Sequence, residues 1–170
     1  MVSGKTARLH RKHATEYKIT VASKLENLAK ISSFVGRVGV QLKLPSDFVF
    51  DSQVAVNEAC TNIIQHAYGF KTDRPITVGC RLRNLEFIIR IRDFGNPFDP
   101  DVVSKHKVEG KLERRATSGL GMFLMRKMMN RVKFRFDEKR GTELTLMKRL
   151  PEPEAVLEGP IADATQPAVG

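Results

Sequence analysis

The stretch VAVNEACTNIIQHAY, from Val54 to Tyr68, carries the pattern on which the fold prediction depends. Its apolar residues recur at helical spacing, and Glu58, Asn62 and His66 stand four residues apart on one stripe of the predicted helix. Glu58 and Asn62 would lie about 6 Å apart along the helix axis, so both can face one small, highly charged group. The same stripe is also typical of the solvated face of an ordinary amphipathic helix, and motifs elsewhere must decide between the two interpretations.

Two further elements precede this central helix. Alternating residues from Tyr17 to Ala22 predict a strand, and Ser23 is placed to cap the helix that follows it. Apolar residues at helical spacing continue to residues 36–39, where glycines indicate that this first helix ends. A proline-containing break comes next, after which either Ser46 or Asp47 can cap the central helix.

The pattern after the central helix predicts strands over 76–82 and 85–92, a helix over 119–132, and strands over 132–136 and 142–147. Arg83 and Asn84 would turn the first two of these strands into a hairpin. Consecutive hairpins imply a mostly antiparallel sheet, and about three amphipathic helices can cover one of its faces. The fold class is therefore α+β, a two-layer sandwich. The sequence has no Gly-x-x-x-x-Gly-Lys-Ser/Thr loop, which argues against a P-loop enzyme.

Length and composition predict one globular domain. A hydrophobic fraction of 41% and a charged fraction of 28% in 170 residues are sufficient for a single core. We expect a basic flexible arm over 1–15, the domain over 16–150 with a lid over about 96–118, and a disordered acidic tail over 151–170. No apolar run is long enough for a membrane span or a secretory signal, so we expect a cytoplasmic protein in which Cys60 and Cys80 are buried free thiols.

Charge is distributed unevenly along the chain. The acidic tail contributes −4 to a net charge of +10, so residues 1–150 carry +14. Such a field favours anionic partners, which include phosphates, an acidic protein face or nucleic acid. The sequence has no zinc-finger spacing, no strand pattern with exposed aromatic residues and no helix-turn-helix pattern. Direct nucleic-acid binding is therefore disfavoured.

Three glycine-containing motifs follow the polar stripe in order. Asp93-Phe-Gly95 comes directly after a predicted strand, where a carboxylate can accept a hydrogen bond from an exocyclic amine and bare backbone admits a flat ring. The stretch 118–121, Ser-Gly-Leu-Gly, opens the next helix, whose free N–H groups and dipole suit phosphate oxygens. Gly141-Thr142 begins the last strand. Each motif alone is also typical of a turn or a helix start, but their order is informative.

With these residues in place, the chain resembles the GHKL ATPase superfamily, and within it the bacterial anti-sigma-factor serine/threonine kinases. Residues 58–68 resemble the first box of that family, 93–99 the second and 118–125 the third. The similarity covers about residues 16–150, and four ordered motifs are more specific than any one of them.

The resemblance implies roles for individual residues. Asn62 would ligate Mg²⁺ through its amide oxygen, which is a hard donor suited to that cation. Asp93 would accept the adenine amino group of ATP, Gly95 would lie beneath the ring and Thr142 would support the same pocket. The stretch Gly119, Leu120 and Gly121 would admit the phosphates.

The resemblance also implies the chemistry. Glu58 would act as general base on a serine hydroxyl, although positioning should contribute more than proton removal in phosphoryl transfer. An arginine of the lid would contact the terminal phosphate; Arg114 is our choice and Arg115 the alternative. His66 is assigned a structural role.

The implied function is an anti-sigma factor that phosphorylates a small antagonist protein with Mg-ATP and switches between that protein and a sigma factor. The family usually forms homodimers. A different class remains as an alternative, a non-catalytic switch in which ATP only orders the lid and a partner surface. Glu58 favours the enzyme, because a protein that only binds ATP has no need of a carboxylate there.

Overall fold

The computed structural model describes residues 15–97 and 120–151. Its strands are β1 (Tyr17–Ala22), β2 (Pro75–Arg83), β3 (Glu86–Asp93), β4 (Arg131–Asp137) and β5 (Gly141–Arg149). Its helices are α1 (Asn27–Gln41), α2 (Ser46–Asn62) and α3 (Leu120–Met128), and a π turn (Ile63–Ala67) continues α2. The predicted order of elements is confirmed within the described ranges.

The five strands form one sheet in the order β1-β2-β3-β5-β4, and every neighbouring pair is antiparallel. One face is apolar: Val78 pairs with Ile19 and Ile91, and Ile91 pairs with Leu144. The helices pack on this face, where Val78, Ile91 and Leu144 are all buried. The predicted α+β two-layer architecture is therefore confirmed.

The opposite face of the sheet, called the outer face below, is polar and largely basic. One row across it contains Lys18, Gly79, Arg90, Thr145 and Lys133. Alternation of side chains along each strand places these residues opposite the core. No helix of the described part covers this row.

Lys148 fastens the sheet to two helices. Its ammonium lies 2.6 Å from the carboxylate of Asp51 in α2 and donates to the carbonyl of Met128 at the end of α3, at 2.7 Å. It also lies 5.3 Å from the ring centre of Phe48. A partly buried lysine stem with three partners for its charged head fixes the spacing of α2 and α3 over β5.

The helix caps differ from the prediction. Helix α1 begins after Glu26 without a side-chain cap, because the hydroxyl of Ser23 instead donates to the carbonyl of Lys71. Helix α2 begins at Ser46 itself, so its cap position is Pro45 and neither Ser46 nor Asp47 caps it through a side chain. Tertiary contact and the fixed φ of proline replace the local capping expected from sequence.

Other boundaries also differ from the prediction, and helix α3 ends at Met128 instead of residue 132. Helix α1 continues through its glycines to Gln41, because Gly39 leaves room for Val49 of α2; a Cβ on Gly39 would lie 2.9 Å from the Cγ1 of Val49. The β2–β3 hairpin turns at Asn84 and Leu85, which both have positive φ, and not at Arg83. Positive φ at both central residues is typical of a type I′ turn.

Candidate functional site

A narrow cavity of about 10 Å³ lies between the helices and the sheet, beside the end of α2. Its walls comprise Ala59, Asn62, Ile63, Asp93, Met125, Phe134, Thr142 and Leu144. Three residues that sequence reasoning assigned to one site, Asn62, Asp93 and Thr142, thus come together although they lie on three different elements. Phe134 is a wall residue that the motifs did not indicate.

Asp93 is the last residue of β3, and it is 1% exposed. One carboxylate oxygen accepts a hydrogen bond from the backbone N–H of Gly95 at 2.9 Å. Burial raises the pKa of Asp93, and the Gly95 hydrogen bond opposes this in part. A desolvated carboxylate that is held by one backbone donor among the described residues is a strong acceptor for a further N–H group.

Gly95 is required by a close backbone approach. A Cβ at this position would lie 2.6 Å from the carbonyl carbon and oxygen of Ala67 in the π turn. The next residue, Asn96, donates its N–H to that same carbonyl oxygen at 2.9 Å. The Asp93–Gly95 loop therefore lies directly against the end of α2, and only glycine fits there without displacement.

Tyr68 positions this loop, and sequence reasoning did not assign it a role. Its hydroxyl accepts a hydrogen bond from the N–H of Phe94 at 2.8 Å and donates to the carbonyl of Pro75 at 2.6 Å. Burial raises the pKa of Tyr68, so the hydroxyl keeps its proton and can donate. The signal that pointed to it was only its place at the end of the central stretch.

The π turn sets the direction of Tyr68. Its N–H bonds to the carbonyl of Ile63, five residues earlier, and the turn begins immediately after Asn62. Such widened turns occur frequently at functional sites. The turn also breaks the predicted stripe, because His66 lies in the wall of a different pocket with Lys71 and Arg74. The sequence-based assignment of His66 as structural stays a prediction.

Thr142 pairs in register with Asp93 at the edge of the cavity. Its hydroxyl oxygen is buried and has no hydrogen-bond partner among the described residues. The preceding Gly141 has a φ of 76° and approaches the carbonyl of Asp93 so closely that a Cβ there would overlap it. A buried hydroxyl without a partner among the described residues, beside a buried carboxylate, can bond to a polar group that enters this cavity.

The first and third motifs also meet. A Cβ on Gly121 in α3 would lie 2.8 Å from a carboxylate oxygen of Glu58 and 3.4 Å from the side-chain nitrogen of Asn62. Glu58 and Asn62 therefore face the same way from α2, as predicted. Leu120 is exposed at the start of α3. Gly119, Arg114, Arg115 and most of the expected lid lie outside the described residues.

The donor set fits a magnesium nucleotide better than a metal held by protein ligands alone. Within the described ranges, no group of three or more His, Cys, Asp or Glu side chains could hold a metal ion. Mg²⁺ in phosphoryl-transfer sites is commonly held by one or two protein oxygens together with substrate phosphates. Asn62 supplies one amide oxygen near Glu58, while Asp93 and the Thr142 hydroxyl supply polar atoms deeper in the cavity.

Taken together, the helix-covered antiparallel sheet with these motifs at the end of α2, the end of β3 and the start of α3 defines an ATPase domain of the GHKL type. The family described as "Histidine kinase-like ATPase domain" matches residues 21–148. Because that match spans most of the chain, the chain belongs to this family. The resemblance inferred from the motifs is confirmed.

Curated relatives support a narrower similarity. Serine-protein kinase RsbW of Halalkalibacterium halodurans is 30% identical over 153 residues, which is 86% of this chain and 90% of the relative. Serine-protein kinase RsbW of Listeria innocua serovar 6a is 31% identical over 106 residues, which is 60% of this chain and 66% of the relative. The chain thus spans slightly less than two thirds of the Listeria protein.

A solved structure supports the fold. The crystal structure of the RsbU and RsbW domains of a Mycobacterium tuberculosis protein aligns with a TM-score of 0.59 at 16% identity, covering 82% of this chain and 33% of that one. In addition, none of the helices in 15–97 and 120–151 has the length and apolar character needed to cross a membrane.

Proposed function

We propose that this protein is an Mg-ATP-dependent serine kinase that acts as an anti-sigma factor. The observation that carries the proposal is the convergence of Asn62, Asp93 and Thr142 on one cavity, with Gly121 against Glu58 and Asn62 beside it. The serine-protein kinases among its relatives support the same activity.

The cavity residues divide into two groups by the part of ATP that each would hold. Asp93 would accept a hydrogen bond from the adenine amino group, and the Thr142 hydroxyl would form a hydrogen bond to the nucleotide in the same pocket. Gly95 would lie beneath the adenine ring. Asn62 would hold Mg²⁺ by its amide oxygen. The backbone at 119–121 would receive the phosphates at the N-terminus of α3, where the helix dipole favours negative charge.

Mg-ATP supplies the phosphoryl group, and this chain's residues position its acceptor. Glu58 would accept the proton of the attacking serine hydroxyl as the new oxygen–phosphorus bond forms and the bond to the leaving ADP oxygen breaks. Arg114 would offset charge on the transferred group. Because the transition state is loose, positioning of the two reactants should contribute most of the rate.

The partners follow from the activity. The substrate would be a serine on a small antagonist protein, and the alternative partner a sigma factor, so that phosphorylation selects between them in the cytoplasm. The excess positive charge of residues 1–150 suits acidic partner faces as well as nucleotide phosphates. The basic arm, the lid and the acidic tail keep their proposed bounds of 1–15, 96–118 and 151–170, and a homodimer is the proposed assembly.

The test separates nucleotide binding from phosphoryl transfer. We expect Asn62→Ala to abolish Mg-dependent ATP binding in calorimetry. Glu58→Gln should retain ATP binding but lose transfer of labelled phosphate to the antagonist protein. A Glu58→Gln variant that transfers phosphate at the wild-type rate would remove Glu58 as the base. A wild-type protein that binds ATP but never transfers it would support the non-catalytic switch instead.

A further inference from the structure

The outer face of the sheet carries more positive than negative charge, independently of the nucleotide site. Two of its acidic side chains form ion pairs: Glu16 lies 3.1 Å from Lys18 and 3.9 Å from Arg90, and Glu143 contacts Arg92. These ion pairs account for only some of the basic residues that the strands present on this face.

Four further basic residues of the outer face form no ion pair with any described residue, namely Arg81, Arg83, Arg131 and Lys133. Cross-strand register places Ile88 and Met147 in one row between Arg81 and Arg131. The Nε of Arg81 is buried without an acceptor among the described residues. In this row Ile88 is buried and Met147 is half-buried, whereas Arg83, Arg131 and Lys133 nearby are exposed. Exposed cations beside a short, partly covered apolar strip suit an extended polypeptide that carries carboxylates.

The acidic tail starts beside this face. The N–H of Leu150 donates to the carbonyl of Leu85 at 2.8 Å, which ties the end of β5 to the β2–β3 turn next to Arg83. Residues 152–170 follow directly, and they contain four carboxylates and no lysine or arginine. A second copy of this chain would instead bring two faces of like charge together, which opposes association.

We propose that residues 152–170 of the acidic tail dock on the outer face of their own sheet. The 19 residues of this segment have a root-mean-square reach of about 25 Å as a flexible chain. Five strands with four spacings are about 19 Å across. A tether whose reach matches the span gives an effective concentration in the millimolar range, so weak charge pairs are sufficient for docking. The tail would therefore compete with any external acidic polypeptide for this face.

A paramagnetic label on the full chain tests the proposal. Cys60 and Cys80 are fully buried, and burial raises both thiol pKa values to about 12, so Ala164→Cys would be the reactive site for a nitroxide. At low salt we expect loss of NMR peak intensity for outer-face residues of β2, β3 and β4. The loss should disappear at about 1 M salt, where the Debye length is about 3 Å.

Two variants make the result specific. Neutralising the four tail carboxylates (Glu152→Gln, Glu154→Gln, Glu158→Gln, Asp163→Asn) should abolish the intensity loss. Neutralising two exposed acids elsewhere, Glu26 and Asp73, should leave it unchanged. A mixed sample reports docking between two copies. It combines a nitroxide-labelled chain at natural isotope abundance with an isotope-labelled chain that carries no nitroxide. Intensity loss that survives tail neutralisation, or that occurs only in the mixed sample, would overturn docking within one chain.

A competition experiment gives a second readout. A fluorescent poly-glutamate peptide should bind the tail-neutralised variant several-fold more tightly than the wild-type chain, because the face is then open. Equal affinity for the two proteins would overturn the proposal, as would binding of the peptide that is indifferent to salt.

Discussion

The hydroxyl of Thr142 gives the sharpest test of the candidate site, because its effects on stability and on binding should have opposite signs. It is buried without a partner among the described residues, which costs about 1–3 kcal/mol for a polar group of this kind. Thr142→Val removes the hydroxyl and keeps the shape. We expect the free energy of unfolding without nucleotide to rise by about 1 kcal/mol, and Tm by about 2–4 °C.

Bound nucleotide should offset the higher stability of Thr142→Val, because the variant should bind ATP more weakly. If the hydroxyl bonds to ATP, its loss removes a hydrogen bond with a net contribution of about 0.5–1.5 kcal/mol, which corresponds to an affinity lower by up to about tenfold. Thermal unfolding with and without Mg-ATP measures both effects, since a ligand at 100 times its Kd stabilises the folded protein by about 2.7 kcal/mol. The Tm increase caused by ATP should therefore be smaller in the variant than in the wild type.

Thr145→Val is the matched control. Thr145 lies on the same strand but on the outer face, between Arg90 and Lys133. Its replacement should leave ATP affinity unchanged. The reasoning would be refuted if Thr142→Val lowered stability without nucleotide, or if it bound Mg-ATP as tightly as the wild type.

Three other predictions concern residues of the proposed site. Burial raises the pKa of Asp93 above its ordinary 3.8, so the folded protein binds this proton more tightly than the unfolded chain. The wild type therefore loses stability as pH rises from about 4 through the folded-state pKa, whereas Asp93→Asn does not. In denaturant titrations, the free energy of unfolding of Asp93→Asn relative to wild type should increase over this pH range and then become constant. Gly95→Ala should lower the free energy of unfolding by about 1–3 kcal/mol, because its Cβ would overlap the Ala67 carbonyl. Arg114→Ala should reduce phosphate transfer by about 10³-fold and Arg115→Ala only slightly.

Each of these predictions has a contradicting result. A stability difference between Asp93→Asn and wild type that is constant across pH would show that the carboxylate is not desolvated. Gly79→Ala serves as control for Gly95→Ala, because its Cβ would meet mainly movable side chains, Glu16 at 3.3 Å and Lys18 at 3.6 Å; equal losses in the two variants would count against the close approach. A larger loss in Arg115→Ala would reassign the lid arginine.

The secondary structure was readable from sequence because period and turn chemistry agreed along most of the chain. Residues 17–22 alternate cleanly and form a strand with the predicted bounds. Errors occurred where tertiary contacts overrode local preference. Glycine at position 39 indicated a helix end, but it serves as the contact point with Val49 and the helix continues. No local pattern encodes such a contact.

Combining each residue's chemistry with its order in the chain places Asn62, Asp93 and Thr142 in one predicted site. The three line one cavity, and their roles toward ATP stay predictions. The motifs did not assign Tyr68 or Phe134 to the site, because an aromatic residue in an apolar pattern is typical of an ordinary core position. Tyr68 directly follows the π turn, and the helical period does not predict a turn with an extra residue.

That extra residue has a consequence for how the protein can change over time. The carbonyl of Ile63 and the N–H of Tyr68 bond at a spacing of five residues, where a regular helix uses four. Deleting one residue from Ile63–Ala67 would let the same two groups bond with regular winding, so Tyr68 would keep its direction toward Phe94. Deleting a residue from the regular turns of α2 would instead rotate Asn62 and Tyr68 together by about 100° relative to the start of that helix. The length of the π turn should therefore vary more readily than the length of α2.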